Sequence, residues 1–345
     1  FKQKTAYEIM PSLVGSEMCI RDRSNEIFES SVTLLTHDSF AVSEGLFETF
    51  TDETGITVEQ LSLGDTGQLI SSSILTKENP IGDVVFGVDN TFLSRALDAD
   101  IFSPYVSSLN SKIIDGLIYE ESGHVTPIDY GHVCVNYWKS SFSDSLPPPS
   151  SINDLLDPTY ASLLVVQNPE TSSPGLAFLL ASISHFGSNW KNFWKLLTQN
   201  GVSVTNDWES SYYGEFVAGG GKKSLVVSYA SSPIAELIYS DPPVEVSPTA
   251  IIEDSCFEQI EYAGILKNSK KRSEAELLID FLLSRKFQED IPLNMFMMPV
   301  STEAALPSQF ENYPEIINNL NMLSPSEIET GRNNWTDIWT ETVLR

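Results

Sequence analysis

The sequence predicts an α/β protein with doubly wound character, and three observations carry that prediction. Strand-like apolar runs alternate with helically spaced segments from residue 32 to residue 96. Two runs, Asp83–Val88 (DVVFGV) and Ser224–Tyr229 (SLVVSY), are almost unbroken, as in strands covered on both faces of a parallel sheet. Finally, the polar clusters THDSF, GVDN, NPETSSPG and SYASSP each stand just past a strand, where open α/β sheets hold their ligands.

Element by element, Val32–Thr36 reads as the first strand. The spacing of Phe47 and Phe50 predicts a helix broken at Thr54-Gly55. Ile56–Leu63 alternates as a strand, Gly67–Thr76 reads as a helix, and a further helix starts at Phe92–Ala96. Near residue 127 the texture changes, and Ile128–Gly131 leads into His132–Trp138, a strand suited to crossing between lobes. Ser151–Leu156 reads as a short capped helix, and Leu163–Gln167 as a strand ending at Asn168-Pro169. Pro174-Gly175 opens an apolar helix through about Phe186, and Trp190–Leu197 makes another. Phe257–Leu266 alternates and would return the chain to the first lobe. Ala275–Leu283 and the tail from Ser324 are amphipathic helices. The expected division is therefore residues 24–130 plus 262–345 as lobe 1 and 131–261 as lobe 2.

Residues 1–23 stand apart. KQKTAYEI at 2–9 matches a translated sequencing-library primer and SLVGSEMCIRD at 12–22 a translated transposase adapter, so this stretch is read as non-native. Of the 20 Lys+Arg and 47 Asp+Glu in the whole chain, it holds Lys2, Lys4, Arg21, Arg23, Glu8, Glu17 and Asp22. The remainder carries 16 basic against 44 acidic residues, a formal charge of −28. So few dispersed cations cannot neutralise a phosphate track, which argues against nucleic acid. The acidity would draw cationic ligands from a distance, within the limit set by salt. No apolar run approaches the roughly 20 residues that span a bilayer. Outside the adapter-like stretch only Cys134 and Cys256 remain, and spacing leaves open whether they pair.

Several residues are candidates for ligand chemistry. Thr171-Ser172-Ser173-Pro174-Gly175 precedes an apolar helix, either as an ordinary cap with proline in the first turn or as an anion site at free N–H groups. Trp208, Tyr212, Tyr213 and Tyr229 are either core or faces for a cation. Asp38, Asp89 and Asp129 each read as following a strand, as turn formers or as acceptors for a ligand's donors. The four histidines, His37, His124, His132 and His185, lack metal-ligand spacing, and no GxSxG elbow occurs. Gly219–Ser224 lacks the uninterrupted Gly-Lys-Ser/Thr of a phosphate loop and reads as a surface loop.

Taken as a set, the motifs resemble the thiamine-binding subunits of bacterial ABC importers. THDSF matches that family's first strand-end motif, with His37 in the place of its usual Tyr. Gly82–Asn90 echoes ADVVxGxDN, Pro127–Tyr137 echoes PxDYGxxxxxY, and Gln167–Leu176 echoes xDPxTSTPGL with Asn168 for Asp and Ser173 for Thr. Trp208–Gly214, Val227–Ala235 and Ile291–Val300 follow in order, so the matches run from about residue 32 to 341. In the last motif Phe296 replaces a Trp and Met298 a Tyr, which weakens a cation-stacking face.

The resemblance implies a type 2 periplasmic-binding fold, two α/β lobes joined by two crossing strands around a ligand cleft. It implies a protein that binds thiamine or a thiamine phosphate, uses no cofactor or metal, acts as a monomer, and delivers its ligand to a membrane permease and ATPase. It also implies a periplasmic or extracellular location, with a signal or lipid anchor at the N-terminus. The implied ligand set is Asp38, Ser39, Asp89, Asn90, Asp129, Tyr130, Thr171, Ser172, Ser173, Trp208, Tyr213, Tyr229, Ser231 and Phe296. Within it, the TSSPG turn receives phosphate, the aromatics surround the thiazolium, and a lobe 1 acid bonds the aminopyrimidine. Polyamine and ferric-iron binding are the alternatives on the same fold. The enzyme alternative is thiaminase-like, with Cys134 as nucleophile; its place in alternating VCVNY favours a buried structural thiol.

Overall fold

The order of the elements follows from where apolar runs meet turn residues along the chain. The computed structural model describes residues 30–345 apart from 119, 218–221, 312 and 314–320. The adapter-like residues 1–23, and the glycine run at 219–221, lie outside the described residues. The first lobe opens with β1 (Ser30–Thr36), α1 (Leu46–Thr54), β2 (Ile56–Ser62), α2 (Thr66–Leu75), β3 (Val84–Asp89), α3 (Leu93–Asp98) and the short β4 (Phe102–Ser103). The unbroken apolar run is buried at every position of β3. Helix α1 stops at Gly55, whose φ of 74° frees its N–H to bond Thr51 O.

A long strand, β5 (Thr126–Trp138), carries the chain across to α4 (Pro158–Leu163), β6 (Leu164–Gln167), α5 (Ser173–Phe186), α6 (Trp190–Gln199) and β7 (Ser203–Thr205). Before α4, Ser151 and Asp154 form the expected reciprocal cap. A wide helical turn of π type, Ser210–Val217, leads to β8 (Leu225–Tyr229) and α7 (Ser232–Ile238). The 18-residue β9 (Thr249–Leu266) returns the chain. Then come α8 (Arg272–Leu282), α9 (Arg285–Asn294), β10 (Met298–Pro299) and α10 (Pro325–Val343).

The ten strands among the described residues form one sheet, ordered β2-β1-β3-β9-β5-β8-β6-β7, with β4 on β9 and β10 on β5. Its two ends are parallel, as the sequence predicts: β2, β1 and β3 on one side, β7, β6 and β8 on the other. The antiparallel pair β5–β9 joins them and belongs to both. Between Val133 and Val135 on β5, the partner on β9 jumps from Phe257 to Ile252. At this bulge Ser255 accepts the Val135 N–H at 2.8 Å, and Cys134 is joined to Cys256. The pairing that the sequence leaves open is therefore formed, and neither sulfur is a free thiol.

Two cores flank the crossing strands. One gathers Phe50, Phe86, Tyr262 and Phe287; the other gathers Phe178, Phe193, Trp194 and Trp339. Helix α10 belongs to the second core, with Trp339 edge-on to Trp194 at 5.5 Å, although residues 262–345 are expected with lobe 1. Among the described residues no helix is long and apolar enough to cross a membrane.

Candidate functional site

The strand ends converge as the polar clusters predict. His37–Ser39 follow β1, Asp89 ends β3, Asn168–Ser172 follow β6, and Tyr229–Ser232 end β8 and open α7. The two lobes touch across this cleft. Asp65 caps α2, accepting the Thr66 N–H at 2.7 Å, and reaches over to accept the Trp208 N–H at 3.2 Å. Gly67 N–H donates to Thr171 O at 2.9 Å. A Cβ on Gly67 would lie 2.6 Å from Glu170 O and 2.7 Å from Thr171 O, so only glycine allows this approach.

On the second lobe Trp208 organises the aromatic set. Its ring stacks on Tyr212 at 4.9 Å and meets Tyr213 and Tyr229 edge-on at 5.5 and 6.0 Å. Its indole N–H donates to Ser228 at 3.0 Å, which fixes the plane of the ring. Tyr212 is buried and donates to Glu236, whereas Tyr213 is 51 % exposed. Tyr229 packs against both cores. A small pocket in front of Trp208 is lined by His37, Asp38, Ser39, Asp65, Asp207 and Glu209.

Facing the aromatics is a group of buried carboxyls. Asp129 on β5 and Glu261 on β9 are register partners. Asp129 is wholly buried, and neither of its oxygens has a conventional donor. Burial and the adjacent Glu261 push its pKa well above the usual range, as expected for a carboxyl buried beside a second one. Burial raises Asp89 to about 6, against the opposing pull of the Ser173 and Thr91 hydroxyls and the Phe92 N–H. Asp65 is likewise raised by burial, with Ser172, the Thr66 N–H, His37 and the Trp208 N–H pulling the other way. The Ser172 and Ser173 hydroxyls lie beside these carboxylates and favour their charged forms, yet neither makes a well-formed hydrogen bond. Burial disfavours a charged His37, but Glu261, Asp65 and Asp38 outweigh it and hold its pKa above 6.5. Its Nε2 stands 3.5 Å from Glu261 Oε1, an ionic contact without hydrogen-bond alignment. Gly87, at φ 98°, makes room for that ring: a Cβ there would lie 2.3 Å from His37 Cδ2.

The remaining expected residues take varied places. Asp38 is exposed and accepts from the Ser62 hydroxyl and the Gly64 N–H, which is a turn-forming role. Ser39 lines the pocket beside it. Asn90 clamps β9 through Glu258 O and the Ile260 N–H, both at 3.0 Å. Thr171 donates to Asn168 O and Asn206 O, closing its own turn. Tyr130 is half-buried opposite Met298. Ser231 is buried just ahead of α7. Phe296 sits at φ 56° with its ring against Tyr239 and Phe310, at 5.8 and 6.3 Å.

Sequence reasoning passed over Asp65, Glu261 and Gln259 as cleft residues. Asp65 carries the same signal as the others, a polar cluster (LGDTG) past a strand. Glu261 and Gln259, bonded to each other at 3.3 Å, alternate along β9 with no local cue. A larger hollow between α3, β9 and the start of α10 shares no residue with the pocket before Trp208.

Comparison with known proteins agrees with this architecture. The family model for bacterial extracellular solute-binding proteins matches residues 79–318. The thiamine-binding periplasmic protein of Salmonella typhimurium strain LT2 is 29 % identical over 319 residues, covering 91 % of this chain and 94 % of that protein. Its counterpart in Escherichia coli K12 is 27 % identical over 318 residues, with the same coverage. A solved periplasmic thiamin binding protein superposes with a TM-score of 0.80 at 27 % identity, covering 91 % of this chain and 96 % of that one.

Proposed function

Because the chain belongs to the family of bacterial extracellular solute-binding proteins, we propose that it captures thiamine between its lobes and hands it to an ABC importer. The observation that carries this reading is the cleft itself, where an aromatic set around Trp208 faces buried carboxyls from the other lobe. Thiamine offers a fixed cation, a flat hydrogen-bonding ring and an alcohol, and aromatic faces with carboxylates are its complement. Trp208, Tyr213 and Tyr229 would surround the thiazolium. Asp65, Asp89 and Asp129 would take the donors of the other ring, with Ser172 and Ser173 at the alcohol or phosphate end.

In this reading β5 and β9 are the hinge, and closure brings Gly67 and Asp65 onto the second lobe. Residues 30–130 with 262–310 move as one lobe, and 131–261 with α10 as the other, since α10 shares the second core. A monomer in the periplasm or outside the cell, working with a membrane permease and its ATPase, completes the proposal. The protein binds and does not turn its ligand over: Cys134 is tied to Cys256, so the cysteine nucleophile of a thiaminase-like reaction is not at hand.

Calorimetric titration of the full chain with thiamine, followed by an assay for intact vitamin, tests this. One-to-one binding at micromolar or tighter, about −8 kcal/mol or beyond, with the vitamin unchanged is expected. Absence of binding by folded, ligand-free protein would refute it, and heat from spermidine or ferric ion instead would assign the cleft to those ligands.

A further inference from the structure

Among the described residues lining the pocket in front of Trp208, one side chain can carry a positive charge, while buried Arg332 lies on the far side of the cluster beside Asp89. His37 lines the pocket in front of Trp208, and no Lys or Arg is among the residues lining that pocket. Its ring is seated on Gly87 and only 12 % of the side chain is exposed, so it cannot swing out to solvent when the lobes are closed. The charged groups facing it come from every side of the cleft. Glu261 reaches it from β9, Asp65 from the start of α2, Asp38 from its own turn and Glu209 from the segment after β7. Behind Glu261 stand Asp129 on β5 and Asp89 at the end of β3. From β3 the nearest ring is uncharged, Phe86 at 5.9 Å.

We propose that His37 and the ligand's cation are alternative partners of this carboxyl cluster, so that capture expels the His37 proton. A ligand cation held against Trp208 enters the same pocket as the imidazole, and two positive charges at that spacing repel each other in a poorly screened site. Giving up one proton removes the repulsion, leaves Glu261 free for the incoming charge, and keeps the net charge of the cleft unchanged. The carboxyls whose pKa burial raises, Asp129, Asp89 and Asp65, respond in the same direction. The inference rests on thiamine capture and adds a specificity role for His37.

Below the His37 pKa of the free protein, binding releases up to one proton, so affinity rises by up to about tenfold per pH unit and levels off above it. The held-up pKa extends that slope above 6.5. Thiamine is titrated into the full chain between pH 6 and 8, in buffers of different ionisation enthalpy, with His37→Gln in parallel. Wild type should release close to one proton more than the variant near pH 6 and show the steeper slope. NMR of the histidine ring protons in wild type supplies a reading that needs no variant: the His37 pKa should fall when thiamine is bound. Binding with equal proton release in both proteins, or an unmoved His37 pKa, overturns this inference while leaving capture intact. No binding by folded wild type overturns capture, and this inference with it.

Discussion

The contact between Gly67 and the Glu170-Thr171 backbone provides a test of closure, because the two states should respond oppositely to one methyl group. In the closed cleft a Cβ at residue 67 would sit 2.6 Å from Glu170 O, 2.7 Å from Thr171 O and 2.8 Å from Thr171 Cα. All three are backbone atoms, so no side chain can rotate away, and relief requires the lobes to part or the TSSPG turn to shift. Such overpacking costs about 1–3 kcal/mol. At 1.4 kcal/mol per decade, that is roughly a 5- to 150-fold loss of thiamine affinity. In the unliganded protein the methyl should help instead. Residue 67 lies in the first turn of α2, where alanine replaces the freest backbone of all, worth up to about 1 kcal/mol. Gly67→Ala should therefore melt at the same or a higher temperature without ligand and bind thiamine more weakly by calorimetry. An affinity within twofold of wild type would show that the bound state does not bring α2 onto the second lobe in this way.

Three further outcomes are expected. Trp208→Ala removes the ring that touches Tyr212, Tyr213 and Tyr229; with one cation contact at about 0.5–2 kcal/mol plus lost packing, thiamine affinity should drop at least tenfold, read by calorimetry. Asp89, raised to about 6, contributes stability that is complete below its unfolded value near 3.8 and lost as pH climbs through 6, up to about 3 kcal/mol. Asp89→Asn keeps an acceptor for the Phe92 N–H, so its melting temperature should gain on wild type between pH 4 and 6.5; a constant difference would contradict the assigned shift. Finally, Cys134 and Cys256 lie 122 residues apart in sequence, and a bond closing so long a loop is worth about 2–4 kcal/mol. The Cys134→Ser/Cys256→Ser double variant should melt lower yet still bind thiamine, whereas lost binding in a folded variant would make the bond part of the site.

The sequence shows which strand ends meet, because that follows from apolar runs and the polar residues after them. DVVFGV and SLVVSY stand where their pattern places them, whereas the crossing strands, expected at His132–Trp138 and Phe257–Leu266, begin earlier, at Thr126 and Thr249. Two- and three-residue strands such as β4, β7 and β10 are too short to show a period, and the wide turn at 210–217 has none of its own. The position of α10 depends on Trp339 finding Trp194, a contact between residues 145 apart in sequence that nothing local announces.

The same distinction divides the site. Ser172 and Ser173 are legible because they precede a helix, and Trp208 because it opens an aromatic run. The partners that give them chemistry are not, since each is set by geometry between distant segments. Asp129 meets Glu261 through a β5–β9 register that shifts between Pro127 and Asp129, and Asp65 meets Trp208 only where the two lobes touch. Asp38 illustrates the reverse: a carboxylate past a strand satisfied locally by Ser62 and Gly64 need not turn to a ligand at all. Specificity in this cleft is therefore a property of the closed state more than of any single motif. Variants that alter closure or proton occupancy, at Gly67 and His37, test the mechanism more directly than removal of the aromatic rings.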